Sequence, residues 1–355
     1  MLTTLRFERP DRVPILGGWL IGDAHCQAIS GTSPEEFWAD PLTAAIRAYQ
    51  VLDVDALEMV CLPSAPGEFR GGLTKEQFES YLERYRSPED VLAHAESLPE
   101  PEEAARSFDA DGWAREFERE VATMRAKIGD MVWLPALWDI IHPTFEWFRE
   151  FGYENYLMFM QLYPEAADRF FAVHAATARR RSERAAELYK KLDMVPLTLV
   201  GTDTCGSGGP MISVEFLRHH YFPHVSHCLE PVHDAGIRTV WHSDGDIRPV
   251  IEDVLACGVS GFQGFQEEYG VDIADIANRR TRTGEPLTIF AGPSVTRTLP
   301  FGTVEDVREE MERIIDTFSE RCALFISPTS NVLPDCPLDN VIEAHRHAIA
   351  YSRRR

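Results

Sequence analysis

The chain has 355 residues, 44% of them hydrophobic, with 57 acidic against 35 basic side chains and a formal net charge of −22. A polyanionic surface of this size disfavours nucleic acid and anionic lipid as partners, while leaving room for an anionic small molecule in a pocket with its own arginines. No apolar run reaches the roughly 20 residues that a spanning helix needs, and Met1–Pro10 has no apolar signal core, so the cytoplasm is the expected location. The seven cysteines (26, 61, 205, 228, 257, 322 and 336) form no CxxC pair, which fits free thiols better than a disulfide framework.

In chain order, short apolar and β-branched runs alternate with long amphipathic stretches, the pattern of a parallel α/β fold. Eight candidate strands result: Val13–Gly17, Asp55–Val60, Val132–Leu137, Leu197–Thr202, Arg238–His242, Val259–Gly264, Leu287–Ala291 and Ala323–Ser327. Helix starts are marked by Ser33-Pro34-Glu35-Glu36, Ser87-Pro88-Glu89-Asp90 and Thr303-Val304-Glu305-Asp306, each with a capping hydroxyl and an acidic third position. Glu165–Lys191 reads as one long outer helix. Eight alternations without a linker or repeat predict a (β/α)8 TIM barrel spanning 1–355 as a single domain, with an open doubly wound sheet as the alternative. The stretch 63–130 is too long for a simple connection between the second and third strands. It predicts a helical insertion, with pieces around Lys75–Tyr85, Pro88–Ala95 and Trp113–Lys127, whose charged composition keeps it out of the core. A lid over the barrel mouth and an inert decoration are both open readings.

Barrel enzymes gather reactive groups at the C-terminal ends of their strands. Those ends carry Glu58, Trp138 and Asp139, Asp203, His242 and Asp244, Gln263 with Gln266 and Glu267, and Thr329 to Asn331, while Trp19, Trp138 and Trp147 either line a pocket for a flat substrate or pack in the core. The sharpest signal is Val240-Trp241-His242-Ser243-Asp244-Gly245. Residues two apart on a strand share a side, so His242 and Asp244 converge on one ligand, as metal ligands or as a proton-transfer pair. The glycine-rich run Gly201–Pro210 reads equally as an anion-holding loop or a tight turn, and leads to a helix near Ser213. His220, His224 and His227 share a helix face, but Pro223 lies among them and a surface or packing role is expected.

The chain resembles the uroporphyrinogen decarboxylase superfamily over nearly its whole length. The resemblance is carried by Arg9-Pro10-Asp11-Arg12-Val13-Pro14-Ile15, His233-Asp234-Ala235-Gly236, His242-Ser243-Asp244-Gly245, Gly292, Leu299–Val307 and Pro337-Leu338-Asp339-Asn340-Val341. It implies the (β/α)8 barrel. It departs from the true decarboxylases in lacking arginines in Leu16–Asp23, while the essential acid of their second strand falls on Glu58 and their C-terminal histidine on Ser330. It departs from the cobamide-dependent methyltransferases, which bind zinc through His-x-Cys and a distant Cys. His242 is kept, Asp244 replaces the first Cys, and the later Cys falls near Ser330, six residues before Cys336.

The resemblance implies corrinoid-linked methyl transfer on a small methylated substrate, with a corrinoid-binding protein as partner and a second copy of the chain as an optional one. A carboxy-lyase acting on a tetrapyrrole or small aromatic acid and a non-catalytic corrinoid- or porphyrin-binding barrel are the alternatives. The expected catalytic residues are Glu58, Asp203, His242 and Asp244, and the expected zinc ligands are His242, Asp244 and Glu267. Trp19, Trp138, Asp139, Gln263, Gln266 and Ser330 are expected to bind substrate. Carboxylate ligands in place of thiolates harden the site toward an oxygen-bearing substrate.

Overall fold

Each predicted run does become a strand in the computed structural model, which describes residues 1–63, 65, 66 and 75–354. The strands are β1 (Leu16–Gly17), β2 (Ala56–Leu57), β3 (Val132–Trp133), β4 (Leu197–Gly201), β5 (Cys205–Gly206), β6 (Gly209–Pro210), β7 (Arg238–His242), β8 (Gly261–Gln263), β9 (Thr288–Ala291) and β10 (Ala323–Ile326). The two additions, β5 and β6, form an antiparallel hairpin inside the glycine-rich run after β4. Most ladders are shorter than the apolar runs that predict them, because a run also contributes buried residues beyond the hydrogen-bonded register.

The chain packs as two compact units. One takes Met1–Gly71, Arg119–Ala136 and Gly261–Arg355. In it β1, β2 and β3 pair in parallel, as do β8, β9 and β10, and an isolated parallel bridge joins Ile15 to Ile326. All four residues of β9 and all four of β10 are buried, the mark of parallel strands covered on both faces. Gly261 has to be glycine for β8 to approach β9: an added Cβ would lie 1.6 Å from the Thr288 carbonyl oxygen. The capping boxes at Ser33–Glu36 and Thr303–Asp306 form as the sequence predicts.

This unit also opens on a helix end that the sequence does not favour. Leu2–Leu5 closes in a Schellman motif, with the Phe7 amide on the Thr4 carbonyl (2.9 Å) and the Glu8 amide on the Thr3 carbonyl (3.1 Å). The left-handed position of that motif, usually glycine, is Phe7 at φ +58°. A phenylalanine there costs about 1 kcal/mol of backbone strain.

The other unit takes Gly72–Glu118 and Leu137–Ser260. Here β4 and β7 pair in parallel over five residues, from Leu197↔Arg238 to Gly201↔His242, and Trp138 bridges to Val200. The predicted long helix is present as Pro164–Lys191, and it packs on Phe222–Asp234 through Ala175, Ala178 and Cys228. Small residues at that crossing let the Cys228 thiol reach the Ala175 carbonyl at 3.3 Å.

Of the 63–130 insertion, residues 64 and 67–74 lie outside the described residues. The rest forms the helices Lys75–Arg84, Pro88–Ser97, Pro101–Ser107 and Ala110–Lys127. Its acidic composition hides a buried face, contrary to the expectation that it stays out of the core: Val91, Ala95, Ala104, Phe117 and Val121 are all buried. Arg169 on the long helix donates to the carbonyls of Ala95 (2.9 Å), Leu98 (2.8 Å) and Pro99 (3.2 Å) and pairs with Glu100, fastening the middle of the insertion to that helix.

Candidate active site

The strand-end rule places three side chains of the second unit around one point. His242 ends β7 and is 5% exposed, Asp244 follows it, and Asp203 follows β4. One donor atom from each lies within 4.8 Å of the other two. His242 Nε2 stands 3.8 Å from Asp244 Oδ1 and 4.0 Å from Asp203 Oδ1. Both carboxylates are partly exposed, at 34% and 29%, so the group is closed behind by the imidazole and open in front. Ser243 turns the other way, its hydroxyl taking the Thr204 amide at 3.4 Å, as the two-residue strand period requires.

Three features hold this arrangement. The Asp244 amide donates to Asp203 Oδ1 at 2.8 Å, so the two acids are fixed to each other through the backbone. Gly201, at φ +132°, lets β4 lie against His242, where a Cβ would fall 2.2 Å from the His242 carbonyl oxygen. His142, fully buried, uses both ring nitrogens: Nδ1–H donates to the Pro143 carbonyl (3.0 Å) and Nε2 accepts the Gly201 amide (3.0 Å). Burial lowers its pKa, which keeps it neutral in that role. It also stacks on Trp241 at 5.0 Å.

Trp138 packs edge-to-face with His242, ring centroids 5.1 Å apart, and holds φ at +31°, a conformation rare for a bulky residue. Asp139 beside it is exposed. The glycine-rich run resolves toward the turn reading: its hairpin offers the Gly206 carbonyl to the Asp246 amide at 2.9 Å. The helix after it starts at Ser213 as predicted, the hydroxyl capping the Phe216 amide. One residue here has no forerunner in the sequence reading. Glu146 Oε1 accepts the Asp203 amide (3.3 Å) and the Thr202 hydroxyl (3.4 Å), and Glu146 pairs with Arg149. Burial first, then the Asp203 charge, raises its pKa. It lies in an irregular stretch, where neither helical nor strand period marks it.

In the first unit, Glu58 is 1% exposed and its Oε2 accepts the Trp19 indole N–H at 2.8 Å. Burial pushes its carboxyl pKa up to about 8, against the opposing pull of that hydrogen bond. The consequence for stability has a definite sign. The unfolded carboxyl titrates near about 4.3, so the buried neutral form stabilises the fold fully below that value and the contribution is lost as pH rises through about 8. Glu58→Gln keeps the acceptor for Trp19 and cannot ionise. Urea midpoints at pH 5 and pH 9 should show the variant gaining on the natural chain at the higher pH; an equal difference at both would disprove the buried neutral acid.

Glu267 is gripped by Arg313 through both oxygens, at 2.9 and 2.5 Å, and among the described residues the ligand group with His242 and Asp244 is completed by Asp203 instead. A guanidinium fork neutralises a carboxylate that would otherwise be free to ligate. Gln263 is fully buried and donates to the Pro328 carbonyl at 2.7 Å, a bond internal to the fold. Gln266 and Ser330 are partly exposed. Of the predicted surface histidines, His224 and His220 meet Asp168 at 3.1 and 3.6 Å, and His227 lies 3.7 Å from Glu230.

No protein-family model matches the chain, and no curated protein matches it in sequence. Among solved structures it is similar to a methyltransferase from Methanosarcina mazei, at 14% identity and a TM-score of 0.62, over 99% of this chain and 97% of that one. At that identity the likeness establishes a shared mixed α/β fold. No helix among the described residues is long and apolar enough to cross a membrane.

Proposed function

We propose that the chain is a methyl-transfer enzyme on a (β/α)8 barrel, related to the uroporphyrinogen decarboxylase superfamily, working between a small methylated substrate and a corrinoid held by a partner protein. The observation that carries this reading is the convergence of Asp203, His242 and Asp244 at strand ends. Three protein donors with one open side are what a catalytic divalent metal takes, and the mixed nitrogen and oxygen set suits zinc. The methyltransferase name of the structural neighbour points the same way.

When bound, zinc would supply Lewis acidity that lowers the pKa of a substrate heteroatom. The chain's own residues do the rest. His242, Asp203 and Asp244 would hold the ion, while Glu146 fixes the Asp203 backbone and Trp138 packs against one side of the imidazole. The test is to strip the protein with chelator, reload it with zinc, and follow methylcob(III)alamin in visible light with a panel of alcohols, thiols and amines. About one zinc per chain, and demethylation only after reloading, is the expected result. Less than about a tenth of an equivalent, with activity indifferent to chelation, would overturn it.

A second reading draws on Glu58. A buried carboxyl held near 8 is a proton donor at neutral pH, as carboxy-lyase chemistry on a tetrapyrrole or aromatic acid requires. Anaerobic incubation with uroporphyrinogen separates the two: carbon dioxide release that Glu58→Gln abolishes would favour this reading.

A further inference from the structure

The first unit contains a cavity of about 370 Å³ that shares no residue with the candidate active site. That volume is within the range of small-molecule sites. Its apolar lining includes Phe7, Val13, Ile315 and Leu324, and its edge carries Arg9 and Arg321. Arg12 also lines it, but its charge is committed to Asp53 (2.8 Å) and Asp55 (2.9 Å).

Two observations set this cavity apart. Neither the Arg9 nor the Arg321 guanidinium forms an ion pair among the described residues, although the chain carries a net charge of −22. Glu8 and Glu320 share the rim without closing onto either. The second observation is Phe7. It occupies the left-handed position of a helix end where glycine would be unstrained, and it lines this cavity while remaining 38% exposed. Strain of that kind persists where the side chain is needed, and an aromatic residue in the lining of an apolar pocket offers contact surface.

We propose that this cavity binds a small amphiphilic organic anion, its apolar body against Phe7, Ile315 and Leu324 and its carboxylate or phosphate group on Arg9 and Arg321. Guanidinium forks provide paired donors for either head group, and an apolar floor rejects a bare inorganic ion.

Calorimetric titration of the full chain tests it, with decanoate as the amphiphilic anion, acetate as the head group alone and decanol as the body alone. Decanoate should bind saturably at one per chain, much more tightly than either fragment, and more weakly as salt is added. The double variant R9Q/R321Q should lose at least about ten-fold in decanoate affinity while its decanol affinity is unchanged, since a charge-assisted hydrogen bond is removed from the head group only. Phe7→Gly separates binding from folding. It relieves the backbone, so its melting temperature should rise or hold, while decanoate affinity falls. The proposal is overturned if decanoate fails to bind, if it binds R9Q/R321Q as well as the natural chain, or if Phe7→Gly leaves affinity intact.

Discussion

His242→Ala is expected to abolish divalent-ion binding at the proposed site and to lower the proposed methyl transfer by at least about a hundred-fold, since loss of even outer-shell partners of a metal ligand costs ten- to a hundred-fold. The imidazole is the one nitrogen donor in the group and its only buried member. Without it, two partly exposed carboxylates remain, and their backbone tie through the Asp244 amide would keep them together as a weak cation site. Asp244→Asn is the companion variant, retaining shape and removing one charge. Glu267→Gln should leave zinc affinity unchanged, because Arg313 already occupies that carboxylate. Zinc titration of the four proteins checks this, and His242→Ala retaining zinc and activity would refute the assignment.

Gly201→Ala is the second variant with a large expected effect, here on stability. Its Cβ would fall 2.2, 2.5 and 3.0 Å from the carbonyl oxygen, amide nitrogen and carbonyl carbon of His242, all backbone atoms that cannot swing aside. The φ of +132° adds strain that no L side chain relieves. Destabilisation of about 4 kcal/mol or more, in the rare upper range for single substitutions, is expected. Gly31→Ala is the control: it also has positive φ, at +69°, but nothing lies within 4 Å of the added carbon, so only about 1 kcal/mol should be lost. Urea denaturation of both variants gives the comparison. Equal costs would mean that strand contact at His242 is looser than the geometry shows.

These two sites differ in how they could be read from the sequence. His242 and Asp244 are legible because strand period is local: two positions apart on an apolar run means one side, and β7 occupies the predicted Arg238–His242. Gly201 is legible only as the first of several glycines at the end of β4 and just beyond it. Its necessity comes from the Gly201↔His242 register, which pairs residues 41 positions apart.

The same division runs through the rest of the molecule. Local chemistry alone determined which runs become strands and where the capped helices start. The hydroxyl of Thr303 and the acid of Asp306 cap their helix whatever lies nearby, and apolar β-branched runs seek a ladder. Tertiary structure decided which polar side chains stay available for chemistry. Arg313 takes Glu267, the Pro328 carbonyl takes Gln263, and Asp203 joins His242 because β4 lies against β7. Burial beside Trp19 makes Glu58 a neutral acid, a property that no window of sequence contains. The reason is physical. Helix caps and strand faces depend on neighbours a few residues away, whereas the protonation and availability of a side chain depend on whatever the fold brings against it.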